Sequence, residues 1–102
     1  MSIKKQALKT KPVSKVSFKV SKAQSEGATV VSVVGEFNNW DPAAGSMSQL
    51  KDGSFSFSTE LPSGREYQFR YVADGRRWFN DEEADGLVPS GIGADQNSLL
   101  SL

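Results

Sequence analysis

The chain has two tryptophans, and both stand close to turns in the sequence. Trp40 closes the string Gly-Glu-Phe-Asn-Asn-Trp (residues 35–40) and is followed by Asp-Pro, residue types that favour turns. Trp78 follows the Asp-Gly pair at 74–75. An indole in a loop can cap the edge of a hydrophobic core, its commoner role, or present a flat apolar face to a ligand. The local pattern leaves both interpretations of Trp40 open.

Side chains for nucleophilic or acid–base chemistry are scarce. Histidine and cysteine are absent, which removes the commonest general base, the commonest metal ligand, thiol nucleophiles and disulfides. The acids are scattered or clustered in a run at 81–86, whereas glycoside hydrolysis needs two carboxylates that face each other. That run does not have the spacing of an EF-hand loop, so we expect a solvated loop there. We therefore expect no enzyme activity, no metal and no cofactor.

Size and charge bound the class of protein. A chain of 102 residues is long enough for one domain with one core. Lys plus Arg equal Asp plus Glu at 12 each, so no net field draws the protein to nucleic acid or an anionic membrane. Seven lysines precede the first acid, Glu26, and this basic cluster either meets the acidic run or is solvated. Without a signal-like or membrane-length apolar run, and without cysteine, we expect a cytoplasmic protein.

The pattern of apolar residues predicts short strands. Residues 1–12 are polar and basic and are predicted to form a loose, flexible arm before a single domain at 13–102. Period-two alternation predicts strands at 15–20 and 66–73, and the β-branched run at 28–35 predicts a central strand. The remaining strands are predicted at 47–51, 54–60, 76–79 and 98–102.

Two Asp-Gly pairs mark hairpins. The first, at 52–53, is the two-residue gap between the strands at 47–51 and 54–60, and it is a strong hairpin signal because both central residues can take positive φ. The second, at 74–75, turns the chain toward Trp78. About seven short strands joined by turns, with no convincing helix, predict an all-β, immunoglobulin-like antiparallel β-sandwich.

The string at 35–40, followed by Leu-Pro-Ser-Gly-Arg-Glu-Tyr-Gln-Phe-Arg-Tyr-Val-Ala-Asp-Gly-Arg-Arg-Trp at 61–78, resembles carbohydrate-binding module family 48. That family includes the glycogen-binding domain of the AMP-activated protein kinase β subunit and the N-terminal early set domains of isoamylase and glycogen-branching enzymes. The resemblance runs over about residues 13–102. It implies a non-catalytic module that binds an α-glucan such as glycogen, amylose or a maltooligosaccharide. The alternative is a regulatory early set domain that packs, in trans, against a glycogen-metabolising enzyme.

The resemblance also implies which residues contact sugar. Trp40 and Trp78 take the places of the family's stacking tryptophans, and Arg70 takes that of its lysine. An indole can cover the apolar C–H face of glucose, while guanidinium and amide groups bond its hydroxyls. Ala94 stands where the family has threonine, and the asparagine near the last strand matches after one insertion. The predicted carbohydrate-binding residues are Trp40, Gln68, Arg70, Trp78, Ile92 and Asn97.

The register of the second hairpin decides which face Trp78 occupies. A two-residue loop pairs Trp78 with Tyr71 on the core face, whereas a three-residue loop pairs it with Val72, on the face of Arg70. This chain has one more arginine before the tryptophan than the family pattern, which favours the longer loop. We therefore expect Trp78 to be exposed beside Arg70. The loop position of Trp40 predicts that its indole is exposed as well.

Overall fold

The computed structural model describes residues 3–10, 12–81, 83–89 and 96–102. Within these residues, no helix is long and apolar enough to cross a membrane. The described elements are nine strands and one helical turn: β1 Ile3–Ala7, β2 Val13–Val20, α1 Lys22–Ser25, β3 Val31–Gly35, β4 Ser48–Gln49, β5 Phe55–Pro62, β6 Glu66–Ala73, β7 Arg77–Phe79, β8 Gly86–Pro89 and β9 Gln96–Ser101.

The strands form two antiparallel sheets. Sheet A has the order β1-β2-β5-β4, and sheet B has the order β3-β6-β9-β8, with β7 also paired to β6. The predicted all-β antiparallel sandwich is confirmed. Two strands, β1 and β8, are additional to the seven expected from the sequence.

The core lies between the sheets and is built from the inward residues of each alternating strand. Phe18 of β2 and Phe69 of β6 meet edge to face, with ring centroids 5.3 Å apart, and so join sheet A to sheet B. Phe55, Tyr71 and Leu100 are also fully buried. Each such side chain stabilises the fold by roughly 2 to 3 kcal/mol through apolar burial. The outward positions of the same strands are thereby left free for other roles.

The β1 strand differs from the prediction of a loose arm. Ile3–Ala7 pairs along its whole length with β2, and Ile3 is buried opposite Phe18. The other four residues of β1 are exposed, and two of them are lysines. Charged side chains are typical of an edge strand that must avoid further pairing. The polar composition therefore reflects an edge position and does not indicate a lack of structure.

The sequence predicted that the segment of β3 forms a central strand. In the structure, β3 is instead the first strand in the order of sheet B. All five of its residues are nevertheless buried. Its free edge is covered by the segment 45–47, since Val33 N donates to Gly45 O and Met47 N donates to Val31 O, each at 2.9 Å. A Cβ at Gly45 would lie 1.8 Å from Val33 O, so only glycine permits this approach.

The first hairpin also departs from expectation in its loop. Leu50 N bonds Ser54 O at 2.7 Å, which leaves a three-residue loop of Lys51, Asp52 and Gly53. Only Gly53 has positive φ, at 88°. Asp52 does not have positive φ, and its Oδ1 accepts from both the backbone N–H and the hydroxyl of Ser54, an Asx-type turn. The hairpin is confirmed, and its two-residue geometry is corrected.

A single helical turn, α1, links β2 to β3 and was not predicted. Ser21 Oγ accepts from Gln24 N at 3.1 Å, and Gln24 Oε1 accepts from Ser21 N at 3.0 Å. This reciprocal pair is a capping box, which satisfies two backbone donors that a helix start otherwise leaves unpaired. Such a short element carries too few residues for a recognisable helical period.

Candidate functional site

The loop after β3 is organised by Asn38. Its Oδ1 accepts from Gly35 N and its Nδ2 donates to Val33 O, both at 3.0 Å. Trp40 N donates to Gly35 O at 2.9 Å. Asn39 and Trp40 have φ values of 56° and 59°, a left-handed conformation that is uncommon for a bulky residue. Trp40 therefore lies in a loop, as predicted, but it is half-buried, whereas the sequence predicted an exposed indole.

The β6–β7 hairpin has the longer of the two loops considered from the sequence. Ala73 pairs with Arg77 across the three loop residues 74–76, and Val72 pairs with Trp78. The register places Trp78 on the outer face of sheet B, the face turned away from sheet A. Trp78 is 44 % exposed. The predicted register and the predicted exposure of Trp78 are both confirmed.

Arg70 and Trp78 lie together above buried valines. The guanidinium carbon of Arg70 is 5.9 Å from the centre of the Trp78 ring, within the range of cation–π attraction. Val34 is the strand partner of Arg70, and Val72 is that of Trp78. These two valines are 0 % and 2 % exposed, yet they do not belong to the core cluster between the sheets. They form an apolar floor on the outer face of sheet B.

Two amide side chains extend this face along β6 and β9. Asn97 Nδ2 donates to Gln68 Oε1 at 3.0 Å. Gln68 pairs with Leu99, and Asn97 pairs with Val88 of β8. Gln68 is half-buried, whereas Asn97 is only 6 % exposed. The outer face thus combines an exposed indole, a guanidinium and an amide pair.

This combination suits a ligand with flat apolar faces and polar edges. Indole covers C–H surface, and guanidinium and amide groups bond oxygen atoms at the ligand's rim. Arg70 Nε is buried and has no hydrogen-bond partner among the described residues. A buried donor without an acceptor costs about 1 to 3 kcal/mol, a cost that proteins tolerate chiefly at functional or strained positions.

Residues 20–88 match the family described as the glycogen recognition site of AMP-activated protein kinase, which is more than half of the chain. The chain belongs to this glycogen recognition family. A comparison with curated proteins gives no match. Three of the predicted sugar-contacting residues on β6 and β7, together with Trp40, fall inside the matched segment, whereas Ile92 and Asn97 lie beyond it.

In this member of the glycogen recognition family, four predicted site residues share one face: Gln68, Arg70, Trp78 and Asn97. Trp40 belongs to the loop that follows Gly35, the last residue of β3, and this loop begins two residues after the Val34–Arg70 pair. Across the described segments, no hydrogen bond or ring contact joins the Trp40 side chain to Arg70 or Trp78. Ile92, with Ala94, lies outside the described residues.

Arg77 supports the site and was not singled out from the sequence. Its Nη2 donates to the carbonyls of Gln24 at 3.2 Å and Ser25 at 2.8 Å, and its Nη1 lies 3.0 Å from Glu26. Its guanidinium carbon is 4.7 Å from the ring centre of Phe79. Arg77 therefore ties the hairpin that carries the exposed tryptophan to α1. The partners of Arg77 could not be foreseen because α1 was not predicted.

The acidic run contributes to structure through Asp81. This carboxylate is buried, contrary to the expectation of a wholly solvated loop. Asp81 Oδ2 accepts from the Tyr71 hydroxyl at 2.5 Å, and Asp81 N donates to Ser98 Oγ at 3.0 Å. Burial, followed by the negative charge of Asp81, raises the pKa of Tyr71 far above its ordinary value. Tyr71 is therefore a neutral donor at all ordinary pH values.

The basic and acidic clusters meet at the ion pair of Lys5 and Asp85. Lys5 Nζ lies 2.5 Å from Asp85 Oδ2, and the same oxygen accepts from Ser101 N at 2.7 Å. Partial burial acts to raise the pKa of Asp85, but the hydrogen bonds from Lys5 and Ser101, with the charge of Lys5, hold it below its usual range. This contact joins β1 of sheet A to the segment that leads into β8 of sheet B.

Proposed function

We propose that this protein is a non-catalytic module that binds an α-glucan of the glycogen type on the outer face of sheet B. Trp78 covers the apolar face of a glucose ring, Arg70 and Gln68 bond its hydroxyls, and Trp40 covers a second ring. The observation that carries the proposal is the exposed indole of Trp78, held beside Arg70 above a floor of buried valines. The family's description as a glycogen recognition site supports the choice of ligand.

The size of the site implies weak binding by a single module. If each indole removes roughly 70 Å² of apolar surface from water at about 25 cal/mol per Å², two rings contribute on the order of 3 to 4 kcal/mol before the cost of association. We therefore expect a dissociation constant between about 1 µM and 1 mM for a short oligosaccharide. A polymer with many equivalent segments raises the apparent affinity through multivalency.

Affinity electrophoresis in gels that contain glycogen, amylose or a soluble β-linked glucan tests the proposal. The wild type should be retarded by the α-linked polymers. Trp78→Ala should lose about 20-fold in affinity, the equivalent of one ring's apolar burial, and Trp40→Ala should also weaken binding. The matched control is Leu50→Ala, which removes an apolar side chain of similar exposure, 42 %, at the hairpin beside sheet A. It should migrate as the wild type does.

Two outcomes would remove the proposal. One is equal retardation by α- and β-linked glucans, and the other is retardation that neither tryptophan substitution changes. A third result separates the alternative function. In this result, the wild type binds none of the glucans but binds a purified glycogen-metabolising enzyme, and Trp78→Ala abolishes that binding. The exposed indole would then anchor a protein interface.

A further inference from the structure

The amide side chains of Gln68 and Asn97 on the outer face of sheet B differ in their exposure and therefore in what they can contact. The sequence predicted that Gln68 and Asn97 both contact sugar. Asn97 is only 6 % exposed, and its Nδ2 is directed at Gln68 Oε1, 3.0 Å away. Gln68 is more exposed than Asn97 and lies on the same strand as Arg70. A ligand that approaches this face therefore reaches Gln68 before Asn97.

We propose that Asn97 is a positioning residue that acts on the glucan through Gln68, and that Gln68 Nε2 is the atom that touches sugar. This inference rests on the proposed function. A glutamine amide has an acceptor end and a donor end, and either can face a ligand. Asn97 Nδ2 already takes one of the two acceptor positions of Gln68 Oε1, whereas no hydrogen bond is formed by Gln68 Nε2 among the described residues, so we infer that the Nε2 donor is the end that the ligand uses. Asn97 thus sets the polarity of the contact.

The chemistry of the neighbouring groups agrees with this polarity. The guanidinium of Arg70 only donates hydrogen bonds, and so does the indole N–H of Trp78. With the Gln68 amide held as described, Gln68, Arg70 and Trp78 all present donors, and the exposed carboxylate on this face of β6, Glu66, lies two residues before Gln68 on the strand, on the side away from Arg70. The ligand must therefore supply acceptor oxygens, which the hydroxyl, ring and glycosidic oxygens of a glucan provide. An amide turned the other way would place an acceptor within this row and admit a different set of partners.

A double-mutant cycle separates positioning from direct contact. The variants are Gln68→Met, which keeps side-chain volume, Asn97→Ala, and the double substitution, with affinity for maltoheptaose measured by isothermal titration calorimetry. Each single change should weaken binding by roughly five-fold, the equivalent of one hydrogen bond. The double variant should bind no more weakly than Gln68→Met, because Asn97 acts only through Gln68. A further five-fold loss in the double variant would show direct contact by Asn97 and overturn the proposal.

Side-chain amide resonances give a second test that does not depend on comparing affinities. In the free protein, Asn97→Ala should shift the Gln68 NH₂ signals in a ¹⁵N–¹H spectrum. In the wild type, maltoheptaose should shift the Gln68 signals more than those of Asn97, a comparison that holds even if Asn97→Ala does not fold. The proposal would be contradicted if Asn97→Ala left the chemical shifts of the Gln68 NH₂ signals unchanged. It would also be contradicted if maltoheptaose shifted the Asn97 signals more than the Gln68 signals. A wild type that binds no glucan refutes the proposed function, whereas the free-protein spectra still test the orientation of Gln68.

Discussion

At the residue scale, the outer face of sheet B contains groups that lower the stability of the folded protein. Arg70 Nε is buried without a partner among the described residues. Trp40 adopts a left-handed backbone conformation with φ 59°, and Trp78 leaves almost half of a large apolar side chain in water. Costs of this kind are tolerated where function needs the residue and the surrounding structure holds it in place. That three of them occur on or beside one face supports its assignment as the binding face.

Arg70 should therefore affect binding and stability in opposite directions. Arg70→Met keeps a long side chain against Trp78 but removes every donor. We expect glucan affinity to fall by about ten-fold, the effect of one charge-assisted hydrogen bond, while the free energy of unfolding rises by roughly 1 kcal/mol because a buried unpaired donor is gone. Calorimetric titration and urea unfolding measure the two effects. Arg70→Lys is the control and should retain more binding than Arg70→Met; a parallel fall in stability and affinity would contradict this assignment.

The hydroxyls of the two buried tyrosines allow a comparison of how much stability is lost when a hydrogen-bond donor is removed. Tyr71 donates to the carboxylate of Asp81, whereas Tyr67 donates to the carbonyl of Pro62 at 2.9 Å. Tyr71→Phe should destabilise the protein by about 1.5 to 3 kcal/mol, since it removes a donor from a buried charge, and Tyr67→Phe by only about 1 kcal/mol. Urea unfolding measures both. Equal costs, or a change in the glucan affinity of Tyr71→Phe, would count against a purely structural role for Asp81.

At the element scale, the β6–β7 hairpin decides what the protein exposes. Asp74 and Gly75 already have positive φ, at 52° and 69°, the conformation that a two-residue hairpin turn needs. Arg76 is the additional loop residue, and Arg77 anchors the strand to α1. Asp74 Oδ1 also accepts from the backbone N–H groups of Thr29 and Val30, each at 2.9 Å. The hairpin is thus held on both sides, which keeps Trp78 on the outer face.

Deletion of one of the two arginines at 76–77 should leave the function intact. The loop would shorten to Asp-Gly, the remaining arginine would pair with Ala73, and Trp78 would still pair with Val72. We expect glucan affinity within two-fold of the wild type, measured by affinity electrophoresis. The contrasting variant exchanges Trp78 and Phe79, which moves the indole to the core face without changing composition and should abolish binding. A folded deletion variant that no longer binds would show that the longer loop is required.

Local patterns predicted those elements whose residues alternate strongly, and they missed those defined by distant contacts. The alternation in β6 and the additional arginine were sufficient to assign the face of Trp78. By contrast, β1 has a single buried residue, Ile3, so its strand character arises from pairing with β2. The protection of Asn97 and the burial of Asp81 depend on where β9 lies beside β6, which no local pattern specifies.

At the scale of the whole molecule, the two sheets present different outer surfaces. The outward positions of β2 and β5 carry lysine, serine and glutamate, as in the Ser17–Ser58 hydrogen bond of 3.0 Å, whereas those of β6 and β7 include the arginine, amide and indole groups of the proposed site. The sheets are joined mainly by the aromatic core. At one margin they are also joined by the Lys5–Asp85 pair. Because this pair lies away from the outer face of sheet B, its loss should affect stability but not glucan binding.

The contribution of the Lys5–Asp85 ion pair should be visible in how the free energy of unfolding depends on pH. The folded-state pKa of Asp85 lies below its unfolded value, so its stabilisation is fully present above the unfolded pKa of about 3.9 and is lost as pH falls through the folded pKa. The two side chains are 34 % and 35 % exposed, so solvent limits the contribution to less than about 1 kcal/mol.

Asp85→Asn keeps an acceptor for Ser101 N but removes the charge, and should destabilise the protein at pH 7. The difference in unfolding free energy from the wild type, measured with urea, should shrink toward zero below about pH 4 and at high salt. A difference that persisted in acid would show that the amide perturbs packing, and that the ion pair does not account for the stabilisation.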